Sequence, residues 1–540
     1  MTAEDVEVAK EARSADGMTL ADLAREIPGG AGSIEGDATV RCFGVHHDSR
    51  HVDPGDLFVV RRGEHHDGGA FVASAIERGA VAILAERGMK LFSSVPVLRV
   101  DDVPSGLAYT AAAVYGHPAF SLDVVGITGT NGKTTTSHLV RAAIDGALGL
   151  QKCGIVGTIG HTYAGQTIAS THTTPEADEL ARVLAVMRKR GATHVAMEVS
   201  SIALVLGRVK AVRFRVAAFT NLTQDHLDFH GSMSAYADAK RMLFTAAEPG
   251  MAVINVDDFF GAQLAVAAKC QVLRVRTTPG TSADGDVVPL SVDARASGMR
   301  ITARVPGGTV EIKSRLVGLH NLENLLVAIG IASSLELDVQ RAADALADEI
   351  GAPGRLERCD GPGDDVVVLV DYAHTPDALA RVLEAVRNVS RNVDEAGGSR
   401  AVDPRILCVF GCGGDRDATK RSLMGEAAAA RADVVIITSD NPRTEAPEAI
   451  AEPIEEAVRG SGMKRLATEE LASAPKGYVV ELDRHRAIAL VIECARPHDI
   501  VLLAGKGHED YQIIGTTKRP FDDRCEARSA LAVRRAKAAR

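Results

Sequence analysis

At 540 residues, 46% of them hydrophobic, the chain is too long for a single core and is expected to fold as about two to four domains. Its net charge of −10 argues against a general nucleic-acid binder, although a local basic cleft for a phosphorylated ligand is compatible with it. The acidic start MTAEDVEVAKEARSADG lacks an apolar segment, no run of about 18 apolar residues occurs, and the eight cysteines are scattered through mostly apolar stretches. These features predict a soluble cytoplasmic protein with reduced thiols, no membrane insertion and a monomeric state, its leading 20 or so residues disordered by default.

Residues 1–120 alternate short strands with helices: strands at 45–50, 56–60 and 81–85, and a helix at 69–78. The run DSRHVDPGDLFVV places Asp48, Ser49 and Arg50 at a strand end before a Pro-Gly turn. Such a polar edge suits a ligand's head group, and it suits plain turn chemistry equally. Residues 115–118 read as a linker.

The most informative stretch follows at 124–136, VVGITGTNGKTTT. Gly129 and Gly132 let the backbone curl with its N–H groups inward, Lys133 adds a point charge, and the Thr134 hydroxyl suits Mg²⁺. The full G-x-x-x-x-G-K-[ST] spacing is not met, because Ile127 stands five residues before Gly132. What remains, GTNGKT between a strand-like run and helix-compatible residues 137–147, predicts nucleotide binding. From 121 to 350 the pattern is βα repeated, with helices at 176–190, 233–244 and 260–268 and strands at 194–199, 216–220 and 251–255. This is the signature of a mostly parallel sheet with the phosphate loop at a carboxyl strand end. Glu198, at the end of a strand neighbouring that loop, is placed as a Mg²⁺ partner.

From 351 to 540 a second βα series begins, with strands at 366–370, 406–410, 434–438, 478–482 and 500–503. All but the fourth end in a polar cluster: DYAH (371–374), GCGGDRD (411–417), DNPR (440–443) and GKGHE (505–509). Ligands of open parallel sheets sit beyond carboxyl strand ends, so four clusters on one edge predict a second binding surface. The basic run 534–540 reads as a solvated helix end.

The order and spacing of GTNGKTTT, HTTPE (172–176), MEVSS (197–201), FTNLTQDHLDFH, YADAKRMLF (236–244), GLHNLENLLVA (318–328), PGRLE (353–357), DYAHTP, GCGGDRD, DNPR and GKGHE resemble the Mur ligases, ATP-dependent amide-forming enzymes of peptidoglycan synthesis. The resemblance spans nearly the whole chain. It implies an α/β protein of three domains: an N-terminal UDP-sugar-binding domain (1–120), a central P-loop-type ATPase domain with a mostly parallel sheet (121–350), and a C-terminal Rossmann-like domain for the incoming amino acid (351–540). The motifs are most similar to those of members that join 2,6-diaminopimelate, the meso isomer, to the D-glutamyl γ-carboxylate of UDP-N-acetylmuramoyl-L-alanyl-D-glutamate through an acyl phosphate.

Carried onto this chain, the resemblance implies ATP contacts from Gly129, Thr130, Asn131, Gly132, Lys133, Thr134, Thr135, Asn321, Arg355 and Asp371. It implies one Mg²⁺ at Thr134 and Glu198 and a second at His226 and Lys240, the lysine carbamylated so that it offers anionic oxygens rather than an ammonium. Lys133, Glu198, His226 and Lys240 form the implied catalytic set. Ser49, His66, Thr173, Thr174, Ser200 and Arg208 match positions for the UDP-muramoyl dipeptide; Arg416, Asp440, Asn441, Arg443, Gly505 and Glu509 match positions around diaminopimelate. Arg443 suits a second carboxylate, which lysine lacks. The chain departs from the family's usual residues at Ile202 and His172.

Other readings stay open at this stage. Apart from the family, Lys240 is an ordinary helix lysine, and His226 and His230, four apart, also fit a zinc pair, without an HExxH run or an evident third ligand. A ligase using L-lysine or another amino acid, and a nucleotide-binding module without catalysis, are the functional alternatives.

Overall fold

The computed structural model describes residues 8, 10–30, 32–61, 68–168, 170, 172–278, 286–295, 298–361, 363–391 and 404–538. The chain divides into two compact units, one of residues 1–290, 303–310 and 323–345, the other of residues 291–302, 311–322 and 346–540.

The first unit carries a five-stranded and an eight-stranded sheet, besides a short antiparallel pair, Met18–Thr19 with Arg41–Cys42. The N-terminal one contains Ser33–Glu35 (β1), Gly44–His46 (β2), Asp56–Val59 (β3), Ala82–Glu86 (β4) and Val97–Val100 (β5), in the order β1-β5-β4-β3-β2. β2 to β5 run parallel and β1 is antiparallel at one edge. Strands β3 and β5 are buried along their whole length, the pattern of a parallel sheet covered on both faces. Helix α1, Val103–Val114, supplies part of that cover with Leu107, Ala108 and Ala111.

The second sheet of this unit is built from Asp123–Thr128 (β6), Cys153–Gly157 (β7), Gly160–Tyr163 (β8), Gln166–Ile168 (β9), His194–Glu198 (β10), Phe214–Phe219 (β11), Met251–Asn255 (β12) and Gln271–Val275 (β13). Its order is β9-β8-β7-β10-β6-β11-β12-β13, parallel except for the β7-β8-β9 meander at one edge. β6 is therefore interior, and it ends one residue before Gly129. Helix α2, Lys133–Leu148, follows the loop and stops at Gly149, whose φ of 69° forms a left-handed cap that glycine adopts without a Cβ penalty. The phosphate loop thus stands at a carboxyl strand end, as the βα pattern predicts.

The second unit is organised on Glu357–Arg358 (β14), Val367–Asp371 (β15), Ile406–Phe410 (β16), Val434–Ile437 (β17), Gly477–Val480 (β18) and Ile500–Ala504 (β19), in the order β14-β15-β19-β16-β17-β18. β15 to β19 are mutually parallel and β14 is antiparallel. Parallel strands put the DYAH, GCGGDRD, DNPR and GKGHE clusters on one edge of this sheet.

Several local expectations are corrected. The strand expected at 45–50 ends at His46, because the Asp48 carboxylate accepts the Arg50 N–H at 2.9 Å and turns Ser49–His51 into a 3₁₀ turn. The helix expected at 69–78 opens as a 3₁₀ turn, Gly68–Phe71, and is α-helical only over Val72–Glu77. Residue Tyr115 is no linker: it is buried, and its hydroxyl accepts the Val45 N–H at 3.1 Å. The leading segment is ordered where described, with Ala12 buried in the N-terminal core and Glu11 paired with Arg190 at 2.5 Å. The basic tail ends a helix, Asp523–Ala538, with Arg535 to Ala538 exposed as expected; Arg534 alone is partly covered, bonding Asp365 at 2.7 Å and the Ile492 and Ala495 carbonyls at 2.8 Å. All eight cysteines are free thiols, five of them buried.

Candidate active site

The phosphate loop is closed to side chains at its two glycines. Gly129 has φ 151° and Gly132 φ 86°, and a Cβ would collide with Thr220 Oγ1 at the first and Asn324 Oδ1 at the second. The loop is clamped by the segment after β11. Asn221 accepts the Thr130 N–H on its carbonyl (2.8 Å) and the Asn131 N–H on Oδ1 (3.0 Å), and Thr220 Oγ1 donates to the Asn131 carbonyl (2.6 Å). Thr130 Oγ1 lies 3.1 Å from the Tyr236 hydroxyl. Lys133 Nζ donates to the Gly129 and Thr130 carbonyls at 2.9 Å each, which keeps its charge folded over the loop. Residues Lys133, Thr134 and Thr135 form the first turn of α2, whose N–H groups have no partner inside the helix and whose dipole favours an anion.

Glu198 closes β10, in register with Ile127 of β6, and is 1% exposed. Its Oε2 accepts the Thr134 hydroxyl at 2.9 Å and the Thr158 hydroxyl at 3.1 Å, while Oε1 accepts the Thr158 N–H at 2.9 Å. A carboxylate and a hydroxyl within contact, both buried beside the loop, are a hard-oxygen donor set of the kind Mg²⁺ takes. Among the described residues no group of three or more His, Cys, Asp and Glu side chains is arranged to hold a metal ion.

Lys240 is not the solvated helix lysine that its sequence position alone implies. It lies in helix Met233–Thr245, whose Ser232 caps the Ala235 N–H, and it is 1% exposed. Its Nζ donates to the Gly129 carbonyl at 2.8 Å and sits 4.4 Å from the centre of the Tyr236 ring. Burial, reinforced by the neighbouring Lys133 charge, pushes its pKa well below that of an ordinary lysine and favours the neutral amine. The His226 ring meets the same Tyr236 ring edge-on, 6.1 Å between centres. The backbone at His226 is left-handed, φ 51°, and its Nε2 faces Asp225 at 3.5 Å. His230 Nε2 instead meets Ser201 Oγ at 2.9 Å, so the two histidines have different partners.

Thr174 is buried with its hydroxyl donating to the Glu198 carbonyl (2.9 Å) and accepting the Ser200 N–H (3.0 Å). Ser200 caps the short helix Ser201–Val205 through the Ala203 N–H. These two residues lock the turn after β10. Thr173 Oγ1 lies 3.0 Å from Thr158 Oγ1, and Arg208 donates to the Thr174 carbonyl at 2.9 Å while pairing with Glu176 at 2.6 Å. Ser49 is buried in its 3₁₀ turn. His66 lies outside the described residues.

In the second unit, Asn321 is buried and donates to the Val317 carbonyl at 2.8 Å. The Arg355 guanidinium stacks 4.8 Å above the Tyr372 ring, and Tyr372 stacks on His508 at 5.0 Å. Asp371 accepts the Leu356 and Ala373 N–H groups, both at 2.8 Å; burial raises its pKa and Arg355 opposes the rise. A Cβ on Gly413 would lie 3.0 Å from Arg443 Nη1 and 3.7 Å from Arg416 Cγ, so a glycine here leaves room for the Arg443 guanidinium. Arg443 has φ 52° and donates to the Gly414 carbonyl at 2.8 Å. Asp440, Asn441 and Glu509 gather around Lys506 Nζ at 3.3, 3.2 and 3.4 Å, and the lysine is wholly buried. Gly505, φ 113°, donates its N–H to the Asp371 carbonyl at 3.0 Å.

Sequence reasoning missed Lys506, Thr158 and Tyr236. Lys506 and Tyr236 carried a signal, the one inside GKGHE at a strand end and the other opening YADAKRMLF; Thr158 carried none.

Known proteins converge on one family. The chain matches the Mur ligase family, catalytic domain, over residues 43–120, the Mur ligase middle domain over 127–332, and the Mur ligase, glutamate ligase domain, over 354–507. The UDP-N-acetylmuramoyl-L-alanyl-D-glutamate--2,6-diaminopimelate ligase of Gloeobacter violaceus is 45% identical over 498 residues, which cover 92% of this chain and 94% of the relative. The ligase of the same name from Geobacter metallireducens is 43% identical over 524 residues, covering 95% and 98%. A solved structure of a UDP-N-acetylmuramoyl-L-alanyl-D-glutamate--2,6-diaminopimelate ligase aligns with a TM-score of 0.68 at 32% identity, over 96% of this chain and 99% of its own. Folylpolyglutamate synthase of Mycobacterium tuberculosis, complexed with ADP and AMPPCP, shares the fold over 73% of this chain and 91% of its own, with a TM-score of 0.54 at 19% identity. The chain belongs to the Mur ligase family.

Proposed function

We propose that the chain is an ATP-dependent ligase that joins an amine of meso-2,6-diaminopimelate to the D-glutamyl γ-carboxylate of UDP-N-acetylmuramoyl-L-alanyl-D-glutamate, releasing ADP and phosphate. A carboxylate is a poor electrophile, so the acid oxygen first takes the γ-phosphoryl group of ATP and the amine then displaces phosphate from the acyl phosphate. The first step brings two anions together, which sets the demand for cations. Lys133 and the first turn of α2 meet that demand around the phosphates.

Thr134 and Glu198 are the residues that hold Mg²⁺ in this reading, with His226 and Lys240 at a second position, and the ion supplies charge neutralisation between the two anions. A neutral Lys240 amine is the form that adds to CO₂: its lone pair forms the N–C bond, a proton leaves, and a carbamate replaces a buried amine. Arg355 and Asp371 serve ATP, and Ser49, His66, Thr173, Ser200 and Arg208 serve the UDP-muramoyl dipeptide. The domain bounds 1–120, 121–350 and 351–540 go with these roles. A cytoplasmic location accords with ATP as co-substrate.

The observation that carries the choice of amino acid is the Arg443 guanidinium beside Gly413, on the same sheet edge as Asp440 and Glu509, which Lys506 holds together. A guanidinium fork there suits a carboxylate, and diaminopimelate has a second carboxylate where L-lysine has none. Phosphate release from ATP tests the reading. Release that needs both the UDP-dipeptide and diaminopimelate supports it; equal release with L-lysine refutes the amino-acid assignment, and none with any combination leaves a nucleotide-binding module.

A further inference from the structure

Three successive residues at one edge of the N-terminal sheet, Val45, His46 and His47, are bonded to one face of helix α3, Ala177–Lys189, in the same compact unit. Asp178 and Arg182 supply that face, one turn apart, and are 1% and 8% exposed. Asp178 accepts the His47 N–H at 3.3 Å and His47 Nδ1 at 2.8 Å. Arg182 Nη1 donates to the Val45 carbonyl at 2.8 Å and lies 3.3 Å from His46 Nδ1 and 3.2 Å from Asp178. His46 Nε2 faces Asp56 at 3.4 Å on the other side. Just before α3, Glu176 pairs with Arg61 at 2.7 Å and with Arg208 at 2.6 Å, and Arg208 holds the Thr174 carbonyl. Ser49 is two residues beyond His47.

We propose that Asp178 and Arg182 are positioning residues that set the distance between the Ser49 segment and the Thr173–Arg208 segment, and thereby the span across which the nucleotide end and the peptide end of the substrate are gripped together. This rests on the UDP-muramoyl dipeptide being the substrate. A buried charged pair with several hydrogen bonds has few alternative arrangements, because breaking it strands a charge away from water. The Val45–His47 segment is therefore held stiffly against α3, while the start of the same helix holds Arg208. A ligand that engages both segments binds best when their spacing matches its own, since the second contact is then intramolecular. A ligand that engages one segment is indifferent to the spacing.

Calorimetric binding of UDP-N-acetylmuramoyl-L-alanyl-D-glutamate and of UDP alone separates the cases. In Asp178→Asn, and in Arg182→Lys as a second variant should the first fail to fold, the Kd of the full nucleotide rises about tenfold, one charge-assisted hydrogen bond's worth, while that of UDP stays within about twofold. A parallel loss of both affinities, the result of general loosening, overturns the proposal, and so does a full-nucleotide Kd that does not move. Failure of the unsubstituted chain to bind the full nucleotide overturns the functional reading and the proposal with it, and is told apart because it precedes any substitution.

Discussion

The Thr134 hydroxyl donates to Glu198 Oε2 across 2.9 Å, tying the first turn of α2 to the end of β10. Thr158 bonds both oxygens of the same carboxylate, so Glu198 is fixed by two elements before any ligand arrives. Preorganised charge costs no reorganisation during reaction. Glu198→Gln keeps the shape and removes the charge. It is expected to lower kcat by about 10²- to 10³-fold and to shift the Mg²⁺ titration of activity to higher concentration, leaving the KM for diaminopimelate nearly unchanged. Steady-state kinetics across a Mg²⁺ series checks this, and an unchanged kcat refutes the role.

Arg443 sits in a left-handed backbone conformation that few non-glycine residues adopt, held by its N–H to the Ile513 carbonyl at 3.1 Å and its own carbonyl accepting the Gly515 N–H at 2.7 Å. Its guanidinium lies beside Gly413, with Nη1 donating to the Gly414 carbonyl at 2.8 Å. Arg443→Ala removes a fork that suits a carboxylate, at a cost of about 2–4 kcal/mol in transition-state binding of diaminopimelate. The kcat/KM for that amino acid is expected to drop by about 30-fold or more, with the KM for ATP unaffected. Equal use of diaminopimelate by the variant refutes the assignment.

Lys133, Thr134 and Glu198 were legible in the sequence because each belongs to a short motif whose spacing already fixes its local geometry. Lys240 was legible only through the family: nothing around it in sequence says that Tyr236 and the Gly129 carbonyl bury it. The basic tail reads correctly as a solvated helix end, but its pairing was not legible, since Asp364 and Asp365, which meet Arg535 and Arg534, come from a distant part of the chain. Tyr115 reads as a linker beside Gly116 and Pro118, yet its hydroxyl reaches the N-terminal sheet. The strand expected to run to Arg50 overshoots because propensity does not register that Asp48 caps its own turn. Contacts made within a few residues show in a sequence; contacts that decide burial mostly do not.

Lys506 is wholly buried with three acceptors around its ammonium, two of them carboxylates on the DNPR and GKGHE loops. Lys506→Met leaves Asp440 and Glu509 close together without their shared cation. Truncating one member of a buried charged cluster costs about 2–4 kcal/mol, so the melting temperature is expected to fall by several degrees. The KM for diaminopimelate is expected to rise by about tenfold or more, with partial recovery in Lys506→Arg. Thermal unfolding with kinetics on both variants checks it; wild-type values in both measurements refute the role.

His508 stacks on Tyr372 beneath the Arg355 guanidinium, and burial, with Arg355 and Arg524 adding to it, pushes its pKa down from 6.5 to about 4. The sign follows from proton counting. Between about pH 4 and pH 6.5 the unfolded chain binds a proton at this residue that the folded chain rejects, so this group's contribution to stability rises with pH over that window. Above pH 6.5 it is fully present, and it disappears as pH falls toward 4. His508→Gln keeps a planar polar side chain without the titration. The difference in unfolding free energy between the two proteins, measured by urea titration at several pH values, is therefore expected to slope across pH 4 to 6.5 and to flatten above it. A difference that is constant over that range refutes the burial-driven depression of the His508 pKa.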